Sequence, residues 1–399
     1  MERIKAPYSK DAPVAVVPLS EYTDEGADAA IREALSGIDA IKLIKPGMHV
    51  VIKANLVSAM RPDEAATTHP VLLSALARLL VSLGAEVTLG DSPGGFYNAA
   101  FLNRVYSKTG MTELVPLGVK LNDDFSERAT TFPTARVLQT FTYTEYLDKA
   151  DLIINFAKLK SHGMMAMSCA AKNMFGAIPG IIKPEYHYRF PKYEDFADMI
   201  VDLDEYFHPE INIADAVVGM EGNGPTAGTP RKIGCILAST SPHTLDLAAA
   251  KLIGYTLRDV PILEAAYRRG MIPERAEDLN LIGELERHVT VDFEHVVERR
   301  SLEFSGTGRN PFKRLFGKFA SLILKTKPYL VKRMCVGCGV CKNICPAKAI
   351  RIVDGKAVIS RHSCIRCFCC QEFCPKSAMK VRRTFIARMF HGEKNKKSG

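Results

Sequence analysis

No run of 18 apolar residues occurs anywhere in this 399-residue chain, so no stretch is long enough to cross a bilayer as a helix. A Walker A lysine loop is missing too. The one glycine cluster that invites comparison, Gly222-Asn-Gly224-Pro-Thr-Ala-Gly228, has the wrong spacing for a dinucleotide fingerprint. The low hydrophobicity of a disordered chain is also absent, with 47% hydrophobic and 24% charged residues. Met1 to Val17 carries Arg3, Lys5, Lys10 and Asp11 without a long apolar core, which predicts no secretory leader and a cytoplasmic chain. Such surroundings keep thiols reduced, so eleven cysteines point to metal rather than disulfides. At about 150 residues per domain, the length predicts two or three domains.

Acids are scarce in one region only. From Ser301 to Gly399, 22 Lys and Arg face four acids: Glu303, Asp354, Glu372 and Glu393. The preceding 300 residues hold 31 bases and 40 acids, and nine of the eleven cysteines follow residue 334. Two chemically different parts are joined. The expected division is an α/β domain over 1–300, a basic linker and amphipathic helix over 301–333, a cysteine-rich domain over 334–382, and a basic tail over 383–399.

The cysteines read Cys335-x2-Cys338-x2-Cys341-x3-Cys345-Pro346 and Cys364-x2-Cys367-x2-Cys370-x3-Cys374-Pro375. Thiolates are soft ligands suited to iron–sulfur clusters, and x2 spacing lets one tight loop point three sulfurs at one cube. Zinc also uses CxxC pairs, but it explains neither the third cysteine at each x2 step nor the two Cys-Pro endings. The pattern resembles the bacterial two-cluster ferredoxin domain. That resemblance implies two [4Fe–4S] clusters, one held by Cys335, Cys338, Cys341 and Cys374, the other by Cys364, Cys367, Cys370 and Cys345. Between the halves, Ile350–Val353, Asp354-Gly355 and Lys356–Ile359 predict a hairpin with a tight turn. Cys369 breaks the spacing and is expected to pack rather than ligate.

Before residue 300 the pattern alternates. Strands are expected at His49–Lys53, Ala85–Gly90, Asp151–Phe156, Ile211–Val218 and Lys232–Ala238. Helices are expected from Val71 to Leu83, Phe196 to Phe207 and Thr244 to Ile253. This alternation predicts an α/β fold: a mostly parallel sheet with flanking helices, followed by a small ferredoxin-type α+β domain. In such sheets ligands collect beyond the carboxyl ends of the strands. There the chain places Asn55, Asp91-Ser-Pro-Gly-Gly95, Lys158-Leu-Lys160-Ser-His162-Gly163, Gly219-Met-Glu221-Gly-Asn223-Gly224 and Ser239-Thr240-Ser241. Five polar or glycine-rich ends in a row predict one site.

These segments, with Thr68-His69-Pro70 and Lys172-Asn173-Met-Phe-Gly176, resemble the family known as domain of unknown function 362, over roughly residues 48–260. Its members often carry a ferredoxin module, and the resemblance implies a fold but no reaction. One position departs: where an aspartate-proline step is expected, this chain has Ser241-Pro242-His243.

Lys53, Lys158, Lys160 and Lys172 beside glycine-rich turns suit a carboxylate or phosphate. Asn55, Asp91, Asn173, Glu221 and Asn223 complete the expected binding set, with Asp215 as a further orienting acid. His162, Lys160 and His69 are the expected catalytic groups, and His187 is another candidate for proton transfer. His69 could equally cap the helix that follows it. Cys169 and Cys235 sit among apolar or small residues and are expected to be buried and unreactive. The whole predicts an iron–sulfur redox protein acting on a small anionic substrate, with a redox partner protein. The alternative is a non-enzymatic electron or cluster carrier whose α/β domain binds a partner or ligand. No aromatic-interleaved basic motif supports nucleic-acid binding. Phe312, Leu315, Phe316, Phe319, Leu322 and Ile323, interleaved with bases, predict a connecting helix in preference to one lying on a membrane.

Overall fold

Strands of a nine-stranded sheet form where β-branched and aliphatic runs occur in the sequence. The computed structural model describes residues 7–295 and 327–382. Its main sheet contains β1 (Val14–Pro18), β2 (His49–Lys53), β3 (Glu86–Gly90) and β4 (Val119–Leu121). A separate antiparallel hairpin, β5 (Glu127–Thr131) and β6 (Thr140–Thr144), leads to β7 (Leu152–His162) and β8 (Ala166–Ser168). Next come β9 (Ile211–Glu221), β10 (Thr229–Ser239) and β11 (Leu281–Ile282). The order across the sheet is β11-β1-β10-β9-β7-β2-β3-β4, with β8 paired to β7. The sheet is mixed but mostly parallel: β10 runs antiparallel to both its neighbours, β1 and β9, and β8 antiparallel to β7.

Helices cover both faces. Asp24–Gly37 buries Ala27, Ala30, Ile31, Ala34 and Leu35 at helical spacing and is capped by Thr23, which accepts from the Gly26 amide. Pro70–Ser82 starts on a proline, where no backbone donor is lost. These two share one apolar layer, and Tyr193–Phe207, Pro242–Leu252 and Pro261–Arg268 pack in the other. Among the described residues no helix is long and apolar enough to cross a membrane.

Two expectations change. The third and fourth expected strands run on, through Lys158, Lys160 and His162 in β7 and to Glu221 in β9. Every residue of β7 is buried, and its polar side chains find partners there, so strand pairing continues where polarity predicts a loop. The fifth expected end does not join the other four. Because β10 is antiparallel, Ser239–Ser241 lie at the opposite edge of the sheet, where the Ser241 side chain caps Pro242–Leu252.

The small module has two antiparallel strand pairs. Strand β12 (Lys327–Leu330) pairs with β15 (Met379–Arg382), so module pairing begins seven residues before the expected boundary at 334. Strands β13 (Ile350–Val353) and β14 (Lys356–Ile359) meet at the expected Asp354-Gly355 turn, both residues having positive φ. The expected amphipathic helix around 312–325 and the tail from 383 lie outside the described residues.

The module seats on the carboxyl edge of the sheet. Phe368 and Val381 enter one of the apolar layers of the main domain. Gln371 Nε2 donates to the Asn223 and Gly224 carbonyls, 2.8 Å each, and the Val381 amide donates to Asn223 Oδ1 at 3.1 Å. A Cβ at Gly224 would collide with the Ser161 carbonyl, so only glycine lets this turn lie so close to β7.

Candidate functional site

Lys53 closes β2 with a fully buried side chain. An isolated ammonium there would be costly, and its Nζ lies 2.7 Å from Asp91 Oδ1 at the end of β3. The same Nζ donates to the Ala54 carbonyl and to Asn173 Oδ1. Asp91 Oδ2 accepts from the Leu56 amide at 2.8 Å. Three amides extend the network: Asn173 donates to Asn155 Oδ1 and accepts from Asn55, whose own Oδ1 accepts from Lys160 Nζ at 2.7 Å. Each amide both gives and takes, so it can link groups of one charge sign without neutralising them.

Above this network lies a pocket of about 70 Å³. Its walls include Asn55, Asp91, Lys160, His162, Lys172 and Asn173, all expected from the sequence, together with His187. Ser92, from the expected Asp91–Gly95 strand end, also lines it, and Lys183, Glu372 and Phe373 join it without having been expected. Lys183 Nζ donates to the Ser92 carbonyl. Glu372 and Phe373 come from the cysteine-rich module, between Cys370 and Cys374. A signal for Glu372 did exist: it is the only acid between Asp354 and Glu393. Lys183 carries no comparable mark.

Burial governs the electrostatics. It pulls Lys160 down to about 7, helped by the neighbouring Lys172, and pulls Lys183 down to about 7. Burial pulls His162 to about 4 and His187 to about 3, so both imidazoles are neutral. His162 Nδ1 accepts from the Met164 and Met165 amides, 3.1 Å each. The ring proton therefore sits on Nε2, which stands 3.0 Å from Glu372 Oε1. Burial works to raise Glu372, but His162 and Lys172 beside it win, holding the carboxyl below its ordinary range. His187 Nδ1 is buried without a hydrogen-bond partner.

Four expected residues lie elsewhere. Lys158 Nζ pairs with Asp215 Oδ2 at 2.8 Å and with the Tyr22 hydroxyl, tying the β1 exit loop to β9. His69 stacks on Tyr22, ring centroids 3.6 Å apart, and its Nδ1 accepts from the Val71 amide as a helix cap. It faces a separate open cleft of about 1030 Å³ with Arg61, Arg104 and Lys108. Glu221 accepts from the Glu294 amide, and Asn223 holds the module. Both are clear of the pocket because β9 carries them past it, Asn223 to the docking surface and Glu221 to Glu294 and Arg231. The Cys169 and Cys235 thiols are buried, and burial raises both, Cys235 to about 12.

In the module, Cys335, Cys338, Cys341 and Cys374 line one small cavity. The Cys370 thiol is raised by burial and by the nearby Cys367, Cys364, Cys341 and Cys345. The cavity gathers the first expected set of four thiolates, and Cys370 neighbours the other three of the second set as well as Cys341; thiolates are the soft donors an iron–sulfur cube requires. Backbone amides of Ala349 and Ala378 donate to the Cys345 and Cys374 sulfurs, 3.2 Å each, which suits thiolate charge. Among the described residues no three His, Cys, Asp or Glu side chains gather as ligands of a single ion. The sulfurs around a four-iron cube stand farther apart than those around one metal.

Comparison with known proteins agrees with this division. Residues 50–251 match the family described as a domain of unknown function, DUF362, and residues 327–375 match a 4Fe-4S dicluster domain. A thylakoid-associated protein of Synechocystis is 30% identical over 252 residues, 62% of this chain and 77% of that protein. The lactate racemase apoprotein of Thermoanaerobacterium thermosaccharolyticum aligns at a TM-score of 0.39 with 14% identity, over 60% of each chain. A Thermotoga maritima protein aligns at 0.35 with 12% identity, over 64% of this chain and 59% of its own. The chain thus spans about 60% of both solved structures, likenesses too weak to bear on chemistry. Sheet, network and cysteine pattern coincide with the matched regions: the chain belongs to the family of domain of unknown function 362 and carries a C-terminal 4Fe-4S dicluster domain.

Proposed function

We propose that this protein couples electron transfer through two [4Fe–4S] clusters to a reaction on a small anionic substrate in the strand-end pocket. One observation carries the reading: Glu372 and Phe373, between cysteines assigned to different clusters, form a wall of the pocket that holds Lys160, His162 and Lys172. An electron carrier that merely shared a chain with the α/β domain would have no need to complete its pocket. Cys335, Cys338, Cys341 and Cys374 would hold one cluster, and Cys364, Cys367, Cys370 and Cys345 the other. When bound, they supply one-electron equivalents.

The protein's own residues do the rest. Lys160, Lys172 and Lys183 bind the anion, and the Asn55–Asn173 amides fix Lys160 in place. Phe175 and Phe373 limit water in the pocket. His162 holds a proton at Nε2, beside Glu372, from which a neutral imidazole donates a hydrogen bond to the substrate without giving the proton up. None of the eleven cysteines is in a disulfide, in keeping with a reducing, cytoplasmic setting. The basic module surface suits an acidic redox partner.

The test is anaerobic. Reduced holoprotein is mixed with a panel of small carboxylates and oxyanions while the visible absorbance of the oxidised clusters is followed. Reoxidation by one anion, lost in Lys160→Gln and His162→Ala, supports the reading. Anions that bind yet never reoxidise the clusters overturn it in favour of a non-enzymatic carrier.

A further inference from the structure

We infer that the pocket selects a compact dianion. The inference rests on the pocket being the substrate site and adds the ligand's charge and size. Four lysines border or underlie it: Lys53, Lys160, Lys172 and Lys183. Against them stand two carboxylates, Asp91 and Glu372. Asp91 is committed to Lys53 at 2.7 Å, and Glu372 faces the Nε2–H of His162 at 3.0 Å.

The remaining three lysines have no carboxylate within 4 Å among the described residues. Lys160 donates to two neutral oxygens, Asn55 Oδ1 at 2.7 Å and the Ala66 carbonyl at 2.8 Å. Lys183 donates to a carbonyl, and Lys172 lies 5.1 Å from the centre of the Phe175 ring. All three side chains are at least nine-tenths buried. Ammonium groups removed from water need negative charge close by. With both histidines neutral and all four lysines protonated, they outnumber the two carboxylates by two positive charges, which a ligand would balance. A monoanion would leave one of them unmatched.

Size sets the second limit. A space of about 70 Å³, at roughly 10–15 Å³ per water-sized sphere, admits a ligand of roughly five to seven non-hydrogen atoms. Sulfate, phosphate, oxalate and malonate fall in that range, while longer dicarboxylates exceed it. Burial also brings Lys160 and Lys183 to about 7, so each exchanges its proton near neutrality. A dianion beside them would hold both protonated, and its binding should strengthen as pH falls toward 6. Asp91, Glu372, Lys172, His162 and His187 are the other ionisable groups around the pocket; the histidines stay neutral over that range.

The experiment is isothermal titration calorimetry on oxidised holoprotein at pH 7, in zwitterionic buffer. Formate and acetate are the monoanions, sulfate, oxalate and malonate the compact dianions, and adipate the long one. At least one compact dianion should bind tenfold or more tightly than formate, acetate or adipate. Comparing sulfate with malonate separates a tetrahedral oxyanion from a short dicarboxylate. Lys172→Gln and Lys183→Gln should each weaken that binding at least tenfold. If the bound clusters already neutralise these lysines, monoanions and dianions will bind alike, and the inference fails. It fails too if neither folded variant loses affinity. Dianions that bind without reoxidising reduced clusters would leave this inference standing while removing the redox reading. Reoxidation by a monoanion would do the reverse.

Discussion

Glu372 of the cysteine-rich module stands 3.0 Å from His162 at the end of β7, and neither atom of that contact has any other partner. A carboxylate from one domain thereby sets the charge in a pocket built mainly by another. Glu372→Gln keeps the shape and removes the charge. Sulfate binding should tighten about tenfold, ~1.4 kcal/mol, because one competing negative charge has gone. Weaker binding, measured by calorimetry, would mean instead that Glu372 itself holds the ligand.

The module is fixed through Gln371, whose amide donates to two carbonyls of the Asn223–Gly224 turn. Gln371→Ala leaves both carbonyls without that donor, at a cost of ~1–3 kcal/mol. Hydrogen exchange should accelerate around 368–373 and 223–226, while exchange in β2, β3 and β7 stays unchanged. Uniform acceleration throughout would show that docking is not a separable event.

Lys160 connects pH to stability. Its proton leaves near 7 in the folded protein but near the ordinary 10.5 in the unfolded chain. Between those values the unfolded state binds more protons, so stability rises with pH across that window. Below about 7 both states are protonated and the contribution is absent. In anion-free buffer, Lys160→Met should show a smaller gain in thermal stability between pH 7 and 9.5 than the parent, by roughly 3 kcal/mol. Parallel curves would mean that Lys160 stays charged throughout.

The crossed cysteine assignment has its own check. Intact holoprotein should hold about eight irons. Cys338→Ala and Cys374→Ala, 36 positions apart, should lose the same paramagnetic resonance signal. Cys364→Ala should lose the other. If Cys374→Ala instead resembles Cys364→Ala, each motif holds its own cluster.

Strand β2 and the helix from Pro70 were legible because apolar periodicity and a Thr-His-Pro start mark them directly. The cysteine halves were legible for a similar reason, spacing being itself the chemistry. The sense of β10 was not, since a strand's own residues do not record which way its neighbours run. Lys158 and Lys160 look alike in sequence, two positions apart on β7. What separates them is the partner each meets: Asp215 for one, Asn55 for the other. Their difference in role is a tertiary fact. His69 has the residue type of a catalytic base but stands over a helix start, and the capping contact takes its Nδ1.

The composite wall also bears on how such chains can be recombined. A ferredoxin unit from another protein could match all eight cysteines and still fail here. Without Gln371, Glu372 and Phe373 it would bring wiring but no lock for Asn223 and no lining for the lysines. On the proposed function, a graft that preserves only the cysteines and lacks these three residues should yield a protein that can be reduced but is inert.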